Sequence, residues 1–149
     1  MKKNIFSLIG AFGFTIVLTG CMASTPKEMT IDPKVKSKQV VVNQNYQRIY
    51  KRALDKSREC FEMGLGTAAI IADGQIYTEL KEAEMSIYLM GGLGRQMHHT
   101  AKFKSIDENN TDMIVYSYFG DLAVDQLKRQ FTGECISCGC SEEDKGKVK

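Results

Sequence analysis

Hydrophobic and polar positions recur along this chain with two different periods, and each period predicts one kind of element. Between residues 46 and 61, apolar side chains return every three or four positions, which is typical of an amphipathic helix. A second helix, ending at Gly133, is predicted by the same spacing of Leu122, Ala123, Leu127 and Phe131. Each helix therefore needs a surface that covers its apolar face.

That surface is predicted to be a β-sheet. Residues 40–42 indicate a first strand, and alternating positions between residues 67 and 119 indicate four or five antiparallel strands between the helices. Asp73-Gly74 and Gly91-Gly92-Leu93-Gly94 are predicted to be turns. We expect an α+β fold, ordered strand–helix–strands–helix, with two helices on one face of an antiparallel sheet of four to six strands.

The first twenty residues follow another pattern. Lys2 and Lys3 precede an apolar run over residues 5–18, which has the layout of a secretory signal and is too short for a spanning helix. The run closes with Leu18-Thr19-Gly20-Cys21, which resembles the lipobox of bacterial lipoproteins. This resemblance implies that the signal is removed and that Cys21 carries two or three acyl chains, enough for stable attachment to membrane lipid.

The resemblance also implies a location. In Gram-negative lipoproteins an aspartate after the lipidated cysteine resembles an inner-membrane retention signal, whereas Met22 stands here. We therefore expect a lipid-anchored protein of the cell envelope, on the periplasmic side of the outer membrane. Four regions are predicted: the signal peptide 1–20, a lipidated N-terminus and flexible tether 21–36, one globular domain 37–140, and a polar tail 141–149.

The net charge of the chain changes this picture little. Its formal charge of +2 comes from 20 basic and 18 acidic residues, and Lys2 and Lys3 account for the excess. Once the signal is removed the charges balance, so we expect no attraction to nucleic acid.

Two resemblances extend into the domain. The order of elements over residues 37–133 resembles the helix-grip domains of envelope lipoproteins, for example those of the outer-membrane β-barrel assembly machinery. The first helix, with the sequence NYQRIYKR at residues 45–52 followed by Cys60, is similar to that of small, poorly characterised proteobacterial lipoproteins. Neither resemblance brings a catalytic motif.

Four cysteines remain besides Cys21, namely Cys60, Cys135, Cys138 and Cys140. An even number in an oxidising compartment predicts disulfides, and we expect Cys60 to pair with Cys138 or Cys135. The alternatives are a zinc site and a redox centre. The isolated Cys60 lacks the paired spacing of a zinc ribbon, and no helix follows Cys135 to activate its thiol.

Other candidates for chemistry have simpler explanations. His98 and His99 are adjacent, so on a strand they would point to opposite faces and would not share one metal ion. The segment ending at Gly94-Arg95 lacks the Lys-Ser/Thr of a phosphate loop. Solvated faces account for the carboxylates of Glu79, Glu82 and Glu84. The sequence thus predicts no catalytic residue, no metal and no cofactor.

Tyrosines give the remaining functional hint. They occupy the polar-parity positions of the predicted strands and would form an amphipathic surface on an open second face: Tyr77, Tyr88, Tyr116 and Tyr118. Edge strands and loops are the alternative explanation. We expect a non-enzymatic interaction or assembly module with an envelope protein as partner. The alternative is a module that holds a lipid or small apolar ligand between helix and sheet.

Overall fold

The computed structural model describes residues 22–135 and 137–139, so the signal peptide, Cys21, Cys140 and the tail 141–149 lie outside the described residues. Its elements follow in chain order: α1 (Pro26–Ile31), β1 (Lys36–Val42), α2 (Tyr46–Phe61), β2 (Met63–Leu65), β3 (Ala68–Tyr77), β4 (Glu82–Gly91), β5 (Gly94–Ser105), β6 (Thr111–Ser117) and α3 (Gly120–Thr132).

Six strands form one antiparallel sheet in the order β1-β6-β5-β4-β3-β2. Strands β3 to β6 follow one another as neighbours, and β1 returns to the edge beside β6, where Val40 lies opposite Met113. The predicted turn at Gly91–Gly94 closes the hairpin between β4 and β5. Short connections between antiparallel neighbours are the expected outcome of this alternating pattern.

The main core lies between the sheet and the two long helices. Helix α2 packs on β3, β4 and β5, α3 packs on β1 and β6, and the two helices touch each other. Asn45 is the N-cap of α2, because its side chain accepts a hydrogen bond from the Gln47 amide at 3.0 Å. Buried side chains from both layers fill this core, including Ile49, Ala53, Met85, Phe103, Met113, Leu127 and Phe131. The predicted α+β fold, with two helices on one face, is confirmed.

Strand β3 differs from the prediction, because it runs without a break through Asp73 and Gly74. The hairpin turn comes later, at residues 78–81, where Lys81 adopts a positive φ of 54°. Gly74 is needed in the strand for another reason. A Cβ there would lie 2.9 Å from both the Tyr50 hydroxyl and the Glu84 carbonyl oxygen. The prediction of a turn at Gly74 is therefore wrong: this glycine lies inside a strand, where another group approaches the backbone closely.

The predicted flexible tether over residues 21–36 is wrong for the part that the structure describes. Residues 26–31 form α1, which has a capping box: the Thr25 side chain accepts from the Glu28 amide, and the Glu28 carboxylate accepts from the Thr25 amide. Pro26 stands at the first helical position, where its missing N–H costs nothing. Met29 of this helix is fully buried. The segment therefore belongs to the folded domain.

Candidate functional site

The face of the sheet opposite α2 and α3 carries the predicted tyrosines, and part of it is covered. Met29, Tyr88 and Met97 form a second buried cluster on this face. Partly buried side chains surround it: Ala23, Val35, Ile71, Tyr116 and Tyr118. Residues 22–35, which we call the docked segment, thus cover the part of the sheet around Tyr88 and Met97.

Hydrogen bonds attach the docked segment to the sheet at its first described residues. The Ala23 carbonyl accepts from the Met97 amide at 2.9 Å, and the Ala23 amide donates to the Tyr118 hydroxyl oxygen at 3.1 Å. The Tyr118 hydroxyl in turn donates to the Asp32 carboxylate at 2.6 Å. One tyrosine therefore holds both ends of the docked segment.

This network perturbs both of its titratable members. The hydrogen bond from Tyr118 is the main reason why the pKa of the Asp32 carboxyl lies below its usual value. Burial, followed by the hydrogen bond to Asp32, raises the pKa of Tyr118. At ordinary pH Asp32 is therefore ionised and Tyr118 is neutral, so the Tyr118 hydroxyl can donate its proton to the hydrogen bond with the carboxylate.

The four predicted tyrosines share one side of the sheet, but they do not form one open surface. Tyr88 is buried, Tyr116 and Tyr118 are partly buried against the docked segment, and Tyr77 is exposed. The Arg95 guanidinium lies 4.0 Å from the centre of the Tyr88 ring and covers it further. The expectation of a tyrosine face is therefore corrected: the docked segment occupies it, and Tyr77 alone of the four remains open.

The open part of this face combines Tyr77 with paired charges and one apolar side chain, Ile114. A shallow cavity here is lined by Tyr77, Glu82, Ala83, Glu84, Lys102, Phe103, Lys104, Asp112 and Ile114. Cross-strand ion pairs join Lys104 to Glu82 at 2.9 Å and Lys102 to Glu84 at 3.6 Å. Both pairs are solvent-exposed and add little stability. Their chemistry suits recognition of another polar surface.

The histidines lie at the edge of the main core, next to a β-bulge. The register between β4 and β5 shifts at Ile87/Tyr88, so that Ile87 faces His99, Tyr88 faces Met97, and His98 has no opposite residue. As a result the two rings do not point to opposite faces as predicted. Their centroids are 6.4 Å apart, and both contact the ring of Phe119.

The environment of His99 keeps its ring neutral. It is 7% exposed, and its Nδ1 lies 3.0 Å from the Ser117 hydroxyl oxygen. Burial, with a smaller contribution from neighbouring His98, lowers the pKa of His99 to about 4. Burial also lowers the pKa of half-buried His98. Within the described part of the chain, no group of three or more His, Cys, Asp or Glu side chains is arranged to hold a metal ion.

A disulfide joins Cys60, near the end of α2, to Cys138, with a Cα–Cα distance of 5.4 Å. This is one of the two predicted pairings. The Cys138 carbonyl also accepts hydrogen bonds from the side chains of Gln126 and Gln130 on α3. The segment after α3 is therefore attached to both long helices. Cys135 is buried and also disulfide-bonded, and Cys140 lies outside the described residues.

Side chains fill the space between α2 and the sheet, where the alternative hypothesis placed an apolar ligand. Ile49 and Ala53 of α2 are fully buried, and Met85 and Phe103 beneath them are 1% exposed. The Ser57 hydroxyl donates to the Met85 sulfur at 3.7 Å. The Tyr50 ring packs edge-on to Phe103, with centroids 6.1 Å apart. Buried side chains of α2 and of the sheet therefore contact one another directly in this region.

Sequence reasoning missed the docked segment, although a signal for it was present. The Thr25-Pro26-Lys27-Glu28 run is a capping box with proline at the first helical position. The two prolines and the scattered charge instead favoured a linker. None of the helices in the described ranges, 22–135 and 137–139, is both long and apolar enough to cross a membrane.

Comparison with known proteins adds no family: no protein-family model matches this chain, and no curated protein matches it significantly.

Proposed function

We propose that this protein is a lipid-anchored envelope protein whose folded domain binds a protein partner and catalyses no reaction. The lipobox-like sequence that ends at Cys21 supports the anchor. The observation that carries the proposal is the attachment of Ala23 to Met97 and Tyr118, since it starts the folded domain two residues after the proposed lipid. A domain held so closely has a defined side toward the membrane and a defined side away from it.

The open part of the sheet supports the choice of a protein as the partner. Tyr77 is 44% exposed and lines a shallow cavity that also includes Ile114 and two cross-strand ion pairs. An exposed tyrosine on a rigid sheet offers a large apolar ring and a hydroxyl at little entropic cost, which is why tyrosine is enriched in interfaces. Binding of an apolar ligand under α2 is less well supported, because Phe103 and Met85 occupy that space.

The test is site-specific photocrosslinking in intact cells of the source bacterium. A photoreactive amino acid replaces Tyr77 in one variant and Lys51 in the control, because Lys51 lies on the exposed side of α2 and its side chain is 77% exposed. We expect a defined adduct from position 77 that is absent from position 51. In the Cys21→Ser background the adduct should be lost or strongly reduced. Identical adducts at both positions, or no adduct at position 77, would contradict the proposed surface.

A further inference from the structure

Three chain segments meet at one end of the sheet, and two of them lie close to the start of the docked segment, because Ala23 is bonded to Met97 and Tyr118. Leu65 pairs with Ala68 across the β2–β3 connection, and Gly91 pairs with Gly94 across the β4–β5 hairpin. The Tyr118 amide donates to the His98 carbonyl at 3.2 Å, which brings the β6–α3 connection to the same end. We call this set of segments, residues 64–67, 91–94 and 118–122, the hairpin end; the last segment includes the first residues of α3.

Large apolar side chains project into solvent from all three segments of the hairpin end. Leu93 is 91% exposed, Leu122 86%, Phe119 56% and Leu65 49%. Asp121 is the one charged residue in these three segments. Glycine accounts for six of the thirteen residues in these segments. Several exposed apolar side chains grouped at one end of a small domain indicate a contact surface.

The opposite end of the sheet has a different character. Its connections, residues 78–81 and 106–110, contain four charged residues: Glu79, Lys81, Asp107 and Glu108. Leu80 and Ile106 are exposed there, at 67% and 56%. These are two exposed apolar side chains beside four charged residues, compared with four beside one at the hairpin end. The two ends of the sheet therefore differ: the hairpin end is mainly apolar, and the opposite end, which we call the charged end, carries more charged residues.

The position of Ala23 indicates what the hairpin end contacts. The Ala23 carbonyl bonds to the amide of Met97, three residues from Gly94 of the hairpin turn. Ala23 is two positions after Cys21, so their Cα atoms are at most about 7 Å apart. Acyl chains attached to Cys21 would therefore hold Ala23, and with it this end of the sheet, near the bilayer, and the domain could not swing away without breaking the bonds of Ala23.

We infer that the hairpin end lies on the bilayer, with Leu65, Leu93, Phe119 and Leu122 immersed at the boundary between headgroups and acyl chains. This inference rests on the proposed lipidation of Cys21. Apolar side chains at the rim of an anchored domain bury their surface at that depth, and they add to the attachment given by the acyl chains. The charged end and Tyr77 then project away from the membrane.

The chain contains no tryptophan, so a single introduced tryptophan reports its own surroundings without background. Leu93→Trp places the reporter at the hairpin end, and Leu80→Trp is the matched control at the charged end. Leu122→Trp is a second reporter in a different segment. The full-length protein is expressed with its signal, purified from membranes and reconstituted in vesicles of phosphatidylethanolamine and phosphatidylglycerol that contain brominated acyl chains. Mass spectrometry of the same samples records the acylation of Cys21.

We expect the Leu93→Trp and Leu122→Trp proteins to emit at shorter wavelength than a tryptophan in water, and we expect the brominated lipid to quench their fluorescence. Leu80→Trp should do neither. Quenching that is equal at both ends, or absent in acylated Leu93→Trp and Leu122→Trp, would overturn the orientation while leaving the proposed anchor intact. An emission shift without quenching would place a second protein chain on the hairpin end instead. Absence of acyl mass on Cys21 would overturn the proposed anchor and this inference together.

Discussion

His99 couples the stability of the fold to pH, because its ring is buried in the neutral form. Its pKa is about 4 in the folded protein, whereas the pKa of a histidine in an unfolded chain is ~6.5. Between these values the unfolded chain binds a proton more readily than the folded one. Stability from this group is therefore complete above the unfolded pKa and is lost as pH falls toward the folded pKa.

We expect the free energy of unfolding to fall by about 2 kcal/mol through this group between neutral pH and pH ~5. Replacement His99→Asn should lower stability at neutral pH and remove most of this dependence on pH. Urea titrations at both pH values measure the change, and His98→Asn, at the half-buried neighbour, is the control and should keep most of the dependence. An unaltered pH dependence in His99→Asn would show that another group is responsible.

Gly74 shows a second effect at the scale of one residue, since its lack of a side chain allows Tyr50 to reach the sheet. A Cβ would stand 2.9 Å from the Glu84 carbonyl oxygen, which belongs to the backbone and cannot move away easily. We expect Gly74→Ala to destabilise the protein by about 1–3 kcal/mol. Gly92→Ala is the matched control, because no atom lies within 4 Å of the Cβ position there. Thermal unfolding compares them, and equal midpoints would contradict the close approach.

At the scale of elements, α1 is attached to the sheet mainly through Met29, which is fully buried. We expect Met29→Ala to cost about 2–5 kcal/mol, as for other truncations of a buried methionine. Ile31→Ala on the same helix should change stability by less than about 0.5 kcal/mol, since Ile31 is 76% exposed. Proteolysis adds a second measurement, because Lys27 and Lys34 should become cleavable in Met29→Ala first. Equal protease resistance in both variants would mean that Met29 does not hold the segment.

The disulfide between Cys60 and Cys138 connects α2 to the segment after α3, and the two cysteines are 78 residues apart in sequence. Loss of the bond frees a loop of that length in the unfolded chain, which corresponds to about 4 kcal/mol in the chain-entropy description. We expect the double variant Cys60→Ala/Cys138→Ala to fold with a lower midpoint in urea. Addition of a reductant should destabilise the original protein more than this variant. The same response to reductant in both would assign the stabilisation to another bond.

Local patterns predicted the elements that bury a regular stripe of side chains. The helix at residues 46–61 was predicted from its period, and the shared side of the four tyrosines from strand parity. The features that were missed depend on distant partners. Gly74 belongs in a strand because of Tyr50, twenty-four residues earlier. α1 has a single fully buried residue, so it has no period to detect. Which tyrosines stay open depends on where that segment docks.

At the scale of the whole molecule, the two faces and the two ends of the sheet differ in character. α2 and α3 cover one face of the sheet, and the docked segment covers part of the other. Leu65, Leu93, Leu122 and Phe119 are exposed at the end next to Ala23, while most of the charged loop residues, Leu80 and Tyr77 lie at the opposite end. In the proposed arrangement the first end meets lipid and the second meets a protein partner. This proposed arrangement depends on the chemical state of Cys21.

The most direct test is the mass of the N-terminal peptide from the native protein, extracted from the membrane fraction of its source cells. We expect a chain that begins at Cys21, lacks residues 1–20 and carries a diacylglyceryl group on the thiol and an acyl group on the amine. A chain recovered from the cytosol with Met1 in place and no added acyl mass would contradict the account.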